Sequence, residues 1–135
     1  MKTELFYLLL TAILTGVLWI PVVIGYVKAR GPLTPEQYQR PSEARLPDWV
    51  VRANRAHLNA VENFGPFAAV VLIGQLMGVS TPLTATCAAI YFYVRLAHAV
   101  VHISGYGKLF ARTMLFTAAW LTFMTFAVAL LLRAG

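Results

Sequence analysis

The sequence predicts an all-α integral membrane protein, a four-transmembrane-helix bundle running up and down. Three observations lead there. Hydrophobic residues make up 59% of the 135-residue chain and charged residues only 12%, about half the ~25% of soluble domains. Mean hydropathy is +0.69. The apolar residues collect into four runs, about 5–27, 50–77, 82–103 and 109–132, each meeting the ~20 residues that cross the hydrocarbon core. We read one membrane domain over residues 1–135.

The first run, Leu5 to Val27, contains Pro21, which predicts a kink. Lys2 gives a weakly basic start, but the run is longer than the roughly 7–15 apolar residues of a signal sequence, and no small-residue cleavage pattern follows. It reads as a retained span. The first connection, Lys28 to Trp49, is long and polar, and Pro32, Pro35, Pro41 and Pro47 predict an irregular extended path. The second run, Val50 to Met77, is too long for the bilayer at ~1.5 Å per residue, so its polar start should project into the headgroup zone. Gly78 to Thr81 is a tight uncharged turn, with Pro82 suited to the first turn of the next helix. Ser104 to Lys108 is short and Gly-rich. Such tight connections make neighbouring helices antiparallel.

A net charge of +6 suggests nucleic acid, but the basic residues form no soluble patch. They sit between the apolar runs as topology signals, or as contacts for acidic headgroups and anionic ligands. Lys28, Arg30, Arg40 and Arg45, then Arg52 and Arg55, mark the first connection, and Lys108 and Arg112 the third. The positive-inside rule puts both connections on the cytoplasmic side and both termini outside. Cys87 is single and lies in an apolar run, which excludes a disulfide framework within the chain. The three histidines lack carboxylate or thiol partners at metal-ligand spacing, so no metal site is expected.

Polar residues inside the runs carry the functional signal, because charge within a membrane span is expensive. At ~100° per residue, Arg52, Arg55, Asn59, Glu62 and Asn63 share one helix face about 100° wide. All five are expected to look into one cavity or interface, while His57 falls on another face and reads as structural or interfacial. The third run repeats the pattern with Tyr91, Arg95, His98 and His102. Glu62 in hydrocarbon needs a partner or a proton. Arg95 is the cation deep in the third run, so an intramembrane Glu62–Arg95 pair is expected. Phe92, Tyr93, Phe116, Trp120, Phe123 and Phe126 read as packing or lipid-facing aromatics. Guanidiniums beside Asn and Glu suit a small polyanion that also carries an amine. A further Arg near a thiol would favour the thiolate. Spacing alone selects no single such anion.

A family resemblance narrows the choice. Arg55-Ala56-His57-Leu58-Asn59-Ala60-Val61-Glu62-Asn63, followed by Pro66-Phe67, resembles the second-helix signature of the MAPEG family, membrane-associated proteins in eicosanoid and glutathione metabolism. Arg95-Leu96-Ala97-His98 resembles its third-helix motif. His102-Ile103-Ser104-Gly105-Tyr106 is similar to the Tyr-x-x-Gly-Tyr of the leukotriene synthase branch, and Gly25-Tyr26-Val27-Lys28-Ala29-Arg30 to the basic end of the first helix. The match covers nearly the whole chain in order.

The resemblance implies a homotrimer in the lipid bilayer, with glutathione as co-substrate between adjacent subunits near the cytoplasmic side. Arg55, Asn59 and Glu62 are implied glutathione contacts. Lys28 matches a position usually held by an Arg that binds a glutathione carboxylate. Arg95 matches the structural partner of the glutamate, and His98 belongs to the same binding set. Arg112 looks like the Arg that stabilises the thiolate, and Thr113 stands where the prostaglandin synthase branch carries a hydroxyl. The family's usual Tyr at the end of the third helix is His102 here, Tyr106 follows one turn later, and the spacing to Arg112 is one residue off from either branch. Arg112, Tyr106 and His102 are therefore the candidate catalytic residues. The implied function is that of a bacterial-type, inner-membrane glutathione transferase or peroxidase of the detoxification kind, acting on lipophilic electrophiles. The family also includes a non-catalytic lipid-binding member, so a membrane scaffold or lipid binder on the same fold is the alternative. A small four-helix transporter fits less well, because such proteins place an essential acid in the first span and Leu5 to Val27 has none.

Overall fold

The computed structural model describes residues 1–40 and 43–134. Its helices are α1 (Thr3–Val17), α2 (Trp19–Arg30), α3 (Pro35–Gln39), α4 (Asp48–Leu76), α5 (Pro82–Ser104) and α6 (Ala111–Ala134), with a 3-10 turn over Lys108–Phe110 before α6. Among the described residues, four helices are long and apolar enough to cross a membrane: Thr3–Arg30, Asp48–Leu76, Pro82–Ser104 and Ala111–Arg133.

The first of these is α1 and α2 run end to end. The interruption falls at Leu18, before Pro21 rather than at it. A proline in a helix has no N–H for the carbonyl four residues back and its ring crowds that carbonyl, which here belongs to Val17. Pro66 acts likewise inside α4 and denies a partner to the Glu62 carbonyl, yet the helix continues to Leu76, as helices packed among neighbours in a membrane tolerate. The first connection is more ordered than its prolines suggest. Pro35 opens α3, and the Thr34 N–H donates to Gln37 Oε1 at 3.2 Å in a capping box. Pro41 lies outside the described residues. At the next turn, Thr81 and Thr84 cap α5 reciprocally, with N–H to hydroxyl distances of 2.8 and 3.2 Å.

Helices α4 and α5 form the centre. The halves of the first span pack on one side, α1 on α4 and α5 and α2 on α4, while α6 packs on α5 and α4. The main core joins Phe67 and Val71 of α4 with Cys87, Ala88 and Tyr91 of α5 and Ala119, Phe126 and Leu130 of α6. Phe67 and Tyr91 stack with ring centroids 3.8 Å apart. Of the other aromatics, Phe123 packs against this core, and Tyr93 and Trp120 stay exposed on the outer surface.

Two local features bind the first span to the rest. Gly25 lets α2 approach α4 closely: a Cβ there would overlap the Val50 side chain, lying 2.8 Å from Cγ1, and Val50 is fully buried. Overpacking of this kind costs about 1–3 kcal/mol. A Gly25→Ala protein should lose that much stability in a detergent denaturation curve, and an unchanged midpoint would show that the two helices simply move apart. At the opposite end, Glu4 is completely buried. It accepts hydrogen bonds from Thr84 Oγ1 at 2.6 Å and Ser80 Oγ at 3.2 Å. The first span thus does contain an acid, because α1 starts at Thr3 and draws Glu4 into its first turn. This carboxylate lies beside the N-termini of both α1 and α5, where helix dipoles favour negative charge.

Candidate functional site

The polar residues of α4, α5 and α6 meet at the end of the bundle that carries the α5–α6 connection. They line two adjoining cavities of about 350 and 480 Å³. The smaller is bounded by Arg52, Tyr106, Gly105 and Phe110, the larger by Asn59, Glu62, His98 and Phe116, and both share Arg55, His102, Arg112 and Thr113.

Helical periodicity places most of this set. Arg55, Asn59 and Glu62 recur at i, i+4 and i+7 on α4, and His98 and His102 at i and i+4 on α5, so each group forms one row along its helix. Arg112, Thr113 and Phe116 come from the first turns of α6. The turn that brings α6 back depends on Gly105, whose φ of +75° is the left-handed region that favours glycine. Arg52 lies against it, since a Cβ on Gly105 would stand 2.9 Å from Arg52 Cζ. Arg52 Nε donates to the Ile103 carbonyl at 3.1 Å, which puts a guanidinium on the negative C-terminal end of α5.

Arg112 Nη1 lies 3.4 Å from His102 Nε2. Arginine has no acceptor, so this contact makes His102 Nε2 the acceptor and places the ring hydrogen on Nδ1. That Nδ1 is buried and has no hydrogen-bond partner, and the same holds for Asn59 Oδ1. Buried polar groups are normally paired; His57 Nδ1 and Gln75 Nε2, whose residues line neither cavity, are unpaired as well.

The structure brings Arg55, Asn59, Glu62, His98, His102 and Arg112 to the larger cavity, and Tyr106 to the smaller one. Lys28 is not brought to either. It is exposed on α2, which packs on α1 and α4 but touches neither α5 nor α6. Arg95 lines neither cavity; it is buried, and its Nη2 donates to the Asn59 carbonyl at 2.9 Å. The expected Glu62–Arg95 pair does not form within the chain. Glu62 is exposed, and among the described residues the ion pair is Arg45–Asp48 at 3.6 Å. The reason is directional. Arg95 reaches α4 from the buried side, where it meets backbone, whereas Glu62 turns outward from the same helix.

The shared five-residue face also divides. Arg52 belongs to the smaller cavity alone, and Asn63 is used locally: its Nδ2 donates to the Asn59 carbonyl at 2.8 Å and its carbonyl accepts from the Tyr91 hydroxyl at 3.0 Å. His57 lines neither cavity. The sequence reading missed Phe116 as a wall of the site and Arg52 as the partner of the α5 terminus. The pairing of Arg52 with Gly105, 53 positions apart in the chain numbering, has no local signal.

A comparison with curated proteins finds no match. The model of the MAPEG family matches residues 5–132, nearly the entire chain. With four apolar helices over that same stretch, this chain belongs to the MAPEG family and is an integral membrane protein.

Proposed function

We propose that the protein is a glutathione-dependent transferase or peroxidase acting on lipophilic electrophiles, and that it works as a homotrimer with glutathione between adjacent subunits. One observation carries the reading: a single open cavity gathers the Arg55 and Arg112 guanidiniums, the Glu62 carboxylate and Asn59. The donor set fits glutathione. Arg55 suits a carboxylate bidentately, Glu62 suits the ammonium, and Asn59 adds a polar side chain to the same wall. Glutathione supplies a thiol whose thiolate is the nucleophile. Arg112 holds positive charge at the cavity wall and favours that thiolate over the thiol. His102 accepts from Arg112 and fixes its direction. Tyr106, which lines the adjoining cavity, offers a hydroxyl to a developing negative charge on the electrophile.

Assembly follows from exposure. Glu62 sits in the middle of the 29-residue α4, and an exposed carboxylate at that depth in hydrocarbon is costly. A neighbouring subunit covers it, and in this arrangement Lys28 enters the site from that neighbour's first span. The basic connections face the cytoplasm by the positive-inside rule.

Native mass spectrometry of the purified protein incubated with glutathione tests assembly and ligand together. The expected species is a trimer carrying glutathione, with a thiolate absorbance signal on mixing. A monomer without ligand would overturn the proposal. Binding without thiolate or turnover would favour the non-enzymatic scaffold or lipid binder instead.

A further inference from the structure

Away from this site, a third cavity of about 520 Å³ lies between α2, α3 and the start of α4. Its walls change character along the span. Val22, Val23 and Val27 of α2 line it on the way to Arg30, and beyond them Arg30, Gln37, Tyr38 and Asn54 line it together with Leu33. The change falls where the membrane itself changes. The first span has 28 residues, about 42 Å at ~1.5 Å per residue against a hydrocarbon core of ~30 Å. Its last turn, with Lys28 and Arg30, therefore stands among the headgroups, and Val22 and Val23 lie in hydrocarbon.

Arg30 is already held in place. Its Nε and Nη2 donate to the Ala44 carbonyl at 2.9 and 2.6 Å, and the guanidinium sits 5.3 Å from the Tyr26 ring centroid. A guanidinium has five N–H donors, so most remain for an anion, and the ordering cost of the side chain is already met. None of the described lining residues is acidic. Glu36, next to the wall in sequence, turns its carboxylate onto the start of α3, where its own backbone N–H and the Thr34 hydroxyl hold it below the usual carboxylate range.

We infer that this cavity binds an anionic phospholipid, with an acyl chain along Val22, Val23 and Val27 and the phosphate at Arg30 beside Tyr38 and Asn54. Free phosphate would leave the apolar half empty. A zwitterionic lipid would bring its own cation to a wall that already carries one.

Native mass spectrometry of the detergent-purified protein, titrated with phosphatidylglycerol or phosphatidylcholine of equal chain length, tests this. Phosphatidylglycerol should be retained about five-fold better, the factor expected for one basic contact to an acidic lipid. Arg30→Gln should remove that preference, and Val23→Trp should lower retention of both lipids by filling the apolar half. Helical circular dichroism and melting report that each variant is folded. Equal retention of the two lipids, or a preference that survives Arg30→Gln, overturns the inference. So does a Val23→Trp protein whose assembly mass changes while lipid retention does not, because a second copy would then be what covers the cavity.

Discussion

Arg112→Ala is expected to lower turnover of a model lipophilic electrophile about 100-fold, the loss typical when one preorganised electrostatic donor is removed from a reacting centre. The expectation rests on position. Arg112 stands at the start of α6 in the wall between the two cavities, 3.4 Å from His102 Nε2. In the proposed arrangement, removing it takes the cation from the thiol end of glutathione but leaves Arg55, Asn59 and Glu62 in place. Glutathione affinity should therefore change less than turnover, and the thiolate absorbance should vanish. Arg112→Lys restores charge without the planar fork and should recover part of the signal. If Arg112→Ala retains the thiolate signal and full turnover, the cation that activates the thiol is another residue. Arg55 would then be the first to examine, because it lines the same two cavities.

Glu4→Ala is expected to cost roughly 3 kcal/mol of stability, the upper range for loss of a charged hydrogen-bonding group. The Thr84 and Ser80 hydroxyls lose the same acceptor. Thr84 is itself buried, so its hydroxyl falls back on bonds within its own turn. The carboxylate also ties the start of α1 to the start of α5, and both helix N-termini lose a compensating charge. Glu4→Gln keeps the shape and one acceptor oxygen, and should fall between the two. Denaturation in detergent, followed by helical circular dichroism, gives the comparison. Equal midpoints for wild type and Glu4→Ala would show that the bundle end holds without this contact.

The two expectations differ in how far the sequence could see them. Arg112 was visible because a cation entering an apolar run stands out, and family motifs lead up to it. Glu4 was not. It lies one residue before the first apolar run, and nothing in its neighbourhood signals that residues 76 and 80 positions away will supply its donors. The Glu62–Arg95 pairing failed for a related reason. Periodicity places residues on faces, but which face of α4 meets α5 depends on how three helices pack together. Once Ala53, Ala56 and Ala60 give α4 a small buried side, Arg95 meets the Asn59 carbonyl there, and Glu62 is left facing outward.

By itself the sequence determined what local rules determine. Composition and run length fix four membrane-crossing helices, and 3.6-residue periodicity fixes the rows Arg55–Asn59–Glu62 and His98–His102. The tertiary structure decided everything that depends on two distant segments touching: the two cavities sharing His102 and Arg112, Arg52 over Gly105, Glu4 between two helix ends, and Lys28 outside both cavities. The physical reason is that a helix fixes its own side-chain directions through backbone hydrogen bonds within a few residues. Its rotation against a neighbour is settled by packing volumes and approach distances, such as Gly25 against Val50, that no single segment contains.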